Sequence, residues 1–237
     1  MTKIPISVSW SGGKDSSLML YHLLQDNRYE VVELHTGISE ETGRVSLHGI
    51  SRELIAAQAQ SIGIPLVFIE IPADSSNLSY ETKLTAYFSD IRSRNIYHVA
   101  YGDIFLEDLK IYRDKLLTQS EISGIYPLWQ KDTTELVNQF LDLGFQTMIC
   151  AAKKELYESS ICGKVMNRDF VLNLPPTVDP CGENGEFHTF AFDGPIFKKA
   201  IVCNQLPTIE RSYQYQVDNQ NLEVVFEFAD LVLAQVK

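Results

Sequence analysis

Positive charge is in short supply in this chain. Its 237 residues include 20 lysines and arginines against 31 aspartates and glutamates, a formal net charge of −11. That deficit argues against a broad nucleic-acid surface, which needs a basic footprint, although net charge does not fix how charge is distributed. Cysteine is scarce as well. Cys150, Cys162, Cys181 and Cys203 are far apart and form no C-x-x-C pair, which argues against a disulfide framework and for a cytoplasmic location. No window approaches the ~20 consecutive apolar residues of a membrane span. No basic-then-apolar leader precedes the first strand-like segment, so no membrane partner is expected. Repeats and low-complexity stretches are absent. Two common nucleotide signatures are missing too: G-x-x-x-x-G-K-[ST] and G-x-G-x-x-G.

What remains is 45% hydrophobic, enough for a sizeable core in one or two domains. Ile4, Ile6 and Val8 alternate with small or polar residues and predict a strand, and the leucines from Leu18 to Leu24 predict a helix from Ser16 onward. Strand-like segments recur at residues 29–38, 65–72 and 97–104, and helical periods at 49–64, 79–96 and 106–120. Gly63 is the expected C-cap of the second helix. This alternation predicts an α/β domain over residues 1–125, a parallel five-stranded sheet with helices on both faces. The pattern changes near residues 126–128. A helix over 132–145 with Asp132 or Thr133 as its N-cap, a strand over 146–152, a loop-rich stretch and a hairpin about Asn219 predict a smaller α+β domain over 126–237.

The first strand-to-helix corner reads Ser11-Gly12-Gly13-Lys14-Asp15-Ser16. Glycine reaches positive φ cheaply and lets a ligand approach the backbone. The start of a helix presents free N–H groups and a partial positive charge. Lys14 adds a full charge, and Ser11, Ser16 and Ser17 add hydroxyls, so the corner forms a candidate cradle for phosphate oxygens. A Gly-Gly turn before a helix also occurs with no ligand; the complete six-residue string is the specific signal. It matches every fixed position of S-G-G-x-D-S, and the chain here resembles the PP-loop, or N-type, ATP pyrophosphatases, whose sheet is of the adenine nucleotide alpha hydrolase type. That resemblance implies ATP, cleaved to AMP and pyrophosphate with adenylation of a substrate oxygen. It assigns the phosphates to Ser11, Gly12, Gly13, Lys14, Asp15 and Ser16. Ligands of open parallel sheets sit at the carboxyl ends of the strands, so main chain around Leu34–Thr36, with His35 and Thr36, is expected to read adenine. Gly102 would let the chain pass close to the nucleotide. Asp15 and Asp103 are the candidate Mg²⁺ ligands; the alternative for Asp103 is a turn or N-cap role.

A second unusual stretch, Asp179 to Phe197, sets Cys181, Glu183, Glu186 and His188 among glycines and prolines. Strand alternation would point Glu186 and His188 to one face, suited to acid–base work or to binding an acceptor. Cys181, His188 and His48 could instead hold a metal, or the polar residues could be a solvated edge strand. With residues 102–104, 127–136 and 181–197, this stretch resembles the diphthine–ammonia ligase family (domain of unknown function 71), and residues 46–49 and 101–108 resemble its bacterial members. The resemblance implies attack by ammonia on an activated carboxylate. Lys14, Asp15, Glu186 and His188 would be catalytic, and His48, Glu183, Glu186 and His188 would contact the acceptor. The acceptor would be a small-molecule or protein-borne carboxylate, in the family's eukaryotic and archaeal members diphthine, a modified histidine. The motif departs from the family's at two places, Asn184 for a glycine and His188 for a glutamate, and an imidazole alters the charge asked of the acceptor. Two other functions stay open: sulfur transfer, for which Cys181 would carry a persulfide, and nucleotide binding without turnover. A homodimer is compatible with all three.

Overall fold

The alternation at Ile4–Val8 forms β1 (Ile4–Ser9), and the chain turns at residues 10–13 into α1 (Lys14–Gln25). The helix starts two residues before Ser16, so Lys14 and Asp15 stand in its first turn. The computed structural model describes residues 2–72, 77–217 and 220–234. β2 (Tyr29–Ser39) is followed by α2 (Arg52–Ile62). Ser51 caps α2 by accepting from Leu54 N, and Gly63 ends it at φ 85° as expected. The helix does not reach back to Gly49, which sits in a left-handed turn. β3 (Leu66–Ile71), α3 (Asn77–Ser93), β4 (His98–Ala100), α4 (Glu107–Gln119) and β5 (Ser123–Ile125) complete the first region. β4 is shorter than its apolar run, because residues 101–104 leave the sheet. The fifth strand is too short to show a period of its own.

The five strands are all parallel, in the order β3-β2-β1-β4-β5. Right-handed crossovers then place α1 and α2 on one face and α3 and α4 on the other. The strand order reverses between β1 and β4, and a ligand crevice is expected at that switch point.

The chain continues through α5 (Thr133–Asp142), β6 (Gln146–Lys153), a 3₁₀ turn at Lys154–Leu156, the short α6 (Arg168–Leu172) and β7 (Phe187–Asp193). Asp132 is the N-cap of α5, its carboxylate accepting from Glu135 N at 2.9 Å. β8 (Cys203–Gln205), β9 (Ile209–Val217), β10 (Gln220–Phe228) and β11 (Leu231–Leu233) follow. The second sheet is antiparallel, β7-β6-β10-β9, with β8 and β11 paired separately. The hairpin expected about Asn219 is β9–β10, running from Ile209↔Phe228 to Val217↔Gln220, and its turn lies outside the described residues. One hydrophobic core joins the two sheets, with Ile6, Val8, Trp10 and Leu20 in the same cluster as Phe140, Phe187, Phe190 and Leu231. A second cluster, including Phe88, Ile91, Val99 and Leu117, lies beneath α3 and α4. Among the described residues, no helix is long and apolar enough to cross a membrane.

Candidate active site

The corner after β1 is built as much by the second sheet as by the first. Gly12 has φ 81°, and a Cβ there would stand 2.7 Å from Ile55 Cδ1 and 2.8 Å from Gln58 Oε1. Its carbonyl accepts from Ala191 N and from Gln58 Nε2, each at 2.9 Å. Gln58 also donates to Ala191 O at 2.6 Å and accepts from Trp10 Nε1 at 2.9 Å. A Cβ on Gly13 would meet Thr189 O at 3.0 Å and His48 Nε2 at 3.2 Å. Close packing against α2 therefore demands glycine at position 12 and β7 leaves little room for a side chain at position 13, and neither glycine lines the cleft. Their expected exposure to phosphate is corrected: the groups of this corner that reach the cleft are Ser11, Lys14, Asp15 and Ser16. A Cβ on Gly102 would lie 3.2 Å from the Asp15 carbonyl and 3.3 Å from Ser16 N. That glycine lets the segment after β4 cross directly over the first turn of α1.

The cleft holds about 490 Å³. One wall is the α1 N-terminus with Gly102 and Asp103; the other is the loop of residues 181–185 with Phe187, His188 and Thr189, and Leu47, His48, Leu106, Leu109 and Arg113 close its rim. Lys14 joins the walls. Its backbone N–H donates to Thr189 Oγ1 at 2.9 Å, and its Nζ donates to Cys181 O and, at 2.8 Å, to both Asp15 carboxylate oxygens. Burial opposes its charge, but Asp15, Cys181 and Glu183 outweigh that and raise its pKa above the ordinary lysine value. Ser11 Oγ donates to Ser16 Oγ at 3.2 Å, and Ser17 Oγ is taken by Gly13 O at 2.8 Å.

Glu183 Oε1 accepts from Ile104 N at 2.8 Å and from Phe105 N at 3.3 Å, tying the loop to the segment after β4. Burial pushes this carboxyl up to about 7, with Asp15 adding to the rise against the two backbone donors. A group poised there can take or give a proton near neutrality. His48 and His188 face each other with ring centroids 4.6 Å apart. Burial and then Lys14 pull His48 down to about 4, while burial, His48, Lys14 and Lys153 hold His188 well below its ordinary value. Both are neutral imidazoles at pH 7.

Other expected site residues stand elsewhere. Glu186 is 4% exposed and does not line the cleft; its Oε1 accepts from Asp179 N at 3.0 Å and Asn184 Nδ2 at 3.1 Å. It lies one residue before β7, so the alternation that would pair it with His188 begins after it. His35 and Thr36 are buried inside β2, not at its end. His35 Nδ1 is 2.8 Å from Ser7 Oγ, Thr36 Oγ1 donates to Trp10 O at 2.7 Å, and the sheet ladders use the surrounding main chain. Neither lines the cleft, and the expected adenine contact at 34–36 is corrected. β1 stops pairing at Ser9↔His35 while the β2–β3 ladder runs on to Ser39↔Ile71. The edge of β2 that opens beyond β1 is thus at Gly37, which is exposed.

No group of three or more His, Cys, Asp or Glu side chains converges as a metal site among the described residues. The Cys181–His48–His188 alternative is therefore corrected; the Cys181 thiol donates to Thr133 O at 3.3 Å, and burial pushes it up to about 12. A neutral, engaged thiol is a poor persulfide carrier. Asp103 Oδ2 pairs with Arg113 Nη1 at 3.2 Å without forming an aligned hydrogen bond, and burial followed by Asp15 raises the Asp103 pKa against Arg113. Asp15 and Asp103 both line the cleft and offer carboxylate oxygens of the kind that hold Mg²⁺, whose other ligands would come from phosphate and water.

Sequence reasoning missed Arg113, Thr189 and Gln58. Gln58 was visible as the one long polar residue on the apolar stripe Leu54, Ile55, Ala59 and Ile62 of α2. Arg113 and Thr189 carry no local signal, since only tertiary packing brings them to the cleft.

A diphthamide synthase N-terminal domain model matches residues 5–125, and a diphthamide synthase C-terminal domain model matches residues 132–224. The diphthine–ammonia ligase of Schizosaccharomyces pombe is 25% identical over 224 residues, 85% of this chain; the chain spans 36% of that protein's length. The diphthine–ammonia ligase of Danio rerio is 22% identical over 223 residues, covering 85% of this chain and 87% of that protein. Among solved structures, a predicted subunit of tRNA methyltransferase from Methanocaldococcus jannaschii aligns over 60% of this chain and 77% of its own, at 18% identity and a TM-score of 0.41.

Proposed function

The chain belongs to the diphthamide synthase family, and from that premise we propose that it is an ATP-dependent ligase joining ammonia to a carboxylate acceptor. The observation that carries this reading is the meeting of the α1 N-terminus with Lys14, Glu183, His48 and His188 in one cleft. ATP's phosphates lie along Ser11, Lys14, Asp15 and Ser16, where free helix N–H groups, hydroxyls and a buried ammonium favour anions. Adenine extends toward Gly37 and an apolar cavity of about 360 Å³ walled by Ile71, Tyr80, Leu84 and Tyr101, which shares Leu109 and Arg113 with the cleft. A magnesium ion held by Asp15 and Asp103 would neutralise phosphate charge.

The acceptor carboxylate attacks the α-phosphate, and pyrophosphate leaves. Lys14, already ringed by acceptors, is fixed in place to offset the developing charge without reorganising. Ammonia then attacks the acyl carbon and AMP departs. Glu183, titrating near 7, accepts the proton that the nitrogen sheds. His48 and His188, both neutral, hydrogen-bond the acceptor without adding charge.

The test is a purified-protein assay with ATP, ammonium and a panel of carboxylates that includes a diphthine-bearing translation elongation factor. Sustained turnover to AMP and pyrophosphate only when both acceptor and ammonium are present is the expected result, with at most one equivalent of pyrophosphate from acceptor alone. Tight ATP binding with no turnover on any acceptor would leave a nucleotide-binding module instead.

A further inference from the structure

One face of α4 borders both the cleft and the apolar cavity beside it. Leu109, Arg113 and Leu116 recur at helical spacing and line that cavity of about 360 Å³ with Tyr80, Leu84 and Tyr101. Among the described residues of the lining, Arg113 carries the one charge. Arg113 and Leu109 also line the polar cleft. The arginine therefore stands where the apolar space meets the anion corner.

Its guanidinium is supported from one side and unspent at its edge. Cζ lies 4.3 Å from the centroid of the Tyr101 ring. Tyr101 is itself buried and stacked on Tyr126, with ring centroids 5.8 Å apart. Nη1 lies 3.2 Å from Asp103 Oδ2, but that contact is not an aligned hydrogen bond, and among the described residues Arg113 donates no other. A single carboxylate oxygen would be met as well by the point charge of a lysine. Arginine offers five donors in a fixed fork that matches the oxygens of a phosphate. Stacking on an aromatic ring steadies that fork before a ligand arrives.

What passes this fork follows from the two spaces it joins. With adenine in the cavity and the terminal phosphates along Ser11, Lys14 and Ser16, the ribose and the α-phosphate cross between them, and of these only the α-phosphate is an anion. We propose that Arg113 binds the α-phosphate of the nucleotide and retains the adenylate while pyrophosphate leaves beside Lys14. This rests on the amide-ligase reading and its placement of ATP. As the acceptor oxygen bonds to the α-phosphorus, the bond to the bridging oxygen breaks and its electron pair departs with pyrophosphate. The α-phosphate keeps a negative charge in the acyl-adenylate, and Arg113 holds it until ammonia displaces AMP. The two cations thus divide the products, Lys14 serving pyrophosphate and Arg113 serving AMP.

Calorimetric titration of the full chain with adenosine, AMP and pyrophosphate tests this without any acceptor. In Arg113→Gln the affinity for AMP should fall on the order of 10–100-fold, the range for losing a charge-assisted hydrogen-bonded contact, while adenosine and pyrophosphate stay within about two-fold. Arg113→Lys should recover part of the loss, since it keeps the charge and gives up the fork. Unchanged affinity for AMP would overturn the assignment, and so would equal losses for AMP and adenosine, the result of a mere prop for Tyr101 and Asp103. A wild type that binds no AMP overturns it together with the placement of the nucleotide. The two readings fail separately. Unchanged AMP affinity in Arg113→Gln beside ammonium-dependent turnover removes the role of Arg113 alone, whereas a selective loss of AMP affinity without turnover on any acceptor keeps that role and removes the ligase.

Discussion

The parallel sheet and the antiparallel sheet contribute to the cleft in different ways. The first brings main chain and a helix end: the turn after β1, the N-terminus of α1 and the segment after β4, all gathered at one edge by parallel topology. The second brings a loop, residues 179–186, and a strand, β7, whose backbone is hydrogen-bonded into the turn of the first through Ala191 and Gly12. An anion corner of this kind is open to water on a lone parallel sheet. Here the antiparallel region covers it and buries Lys14 to 3% exposure. The corner is a joint between two regions, and Lys14 and Thr189 both hold the joint and line the cleft.

The largest expected effect tests the ligand-facing half of that joint. Lys14→Ala should lower AMP and pyrophosphate release on the order of 10²–10³-fold, the usual cost of removing one preorganised electrostatic contact. A variant with unchanged pyrophosphate kinetics would assign the cleft to the second region alone.

Next comes the packing half. Gly12→Ala meets both a positive φ and a crowded Cβ position, and should lose roughly 2–4 kcal/mol of stability through strain and overpacking. Gly43 has a positive φ of 62° but open space around it, so Gly43→Ala should lose only about 1 kcal/mol. Urea unfolding of the pair separates the two costs; equal losses would mean that the joint contributes nothing beyond backbone strain.

The smallest effect is in pH. His48, on the segment before α2, is pulled down to about 4, whereas an unfolded histidine titrates near 6.5. Between those values the unfolded chain binds the extra proton, so the stabilisation is full above pH 6.5 and is lost as pH falls toward 4. His48→Gln should flatten the fall of the thermal midpoint over that window. A profile parallel to the wild type would show that His48 is solvated and that the two regions do not enclose it.

Much of the first region was legible because its signals are local. Period-two and helical patterns, Gly63 as a cap and the six-residue string at 11–16 each depend on neighbours in the chain, as does Asp132 at the start of α5 in the second region. Short β5 and truncated β4 were less legible, since a three-residue strand shows no period. Glu186 was misplaced for a related reason: alternation predicts a face only inside a strand, and β7 begins one residue later. His35 and Thr36 stand inside β2 rather than at its end, because β3 supplies β2 with a partner as far as Ser39, long after β1 has turned away.

The sequence alone determined where the strand-to-helix corner with Lys14 stands, because glycine, lysine and serine at such a turn have fixed backbone preferences and charges. It could not determine why the glycines are there. Gly12 and Gly13 read as openings for phosphate, and folding fills those openings with Ile55, Gln58 and Thr189. Only tertiary structure decides what occupies the space beside a missing Cβ, since that depends on contacts between residues as far apart as Lys14 and Thr189. The same holds for charge. Glu183 and the two histidines have ordinary pKa values as isolated side chains, and burial moves each of them away from those values, whereas Lys14 is raised against its burial by Asp15, Cys181 and Glu183.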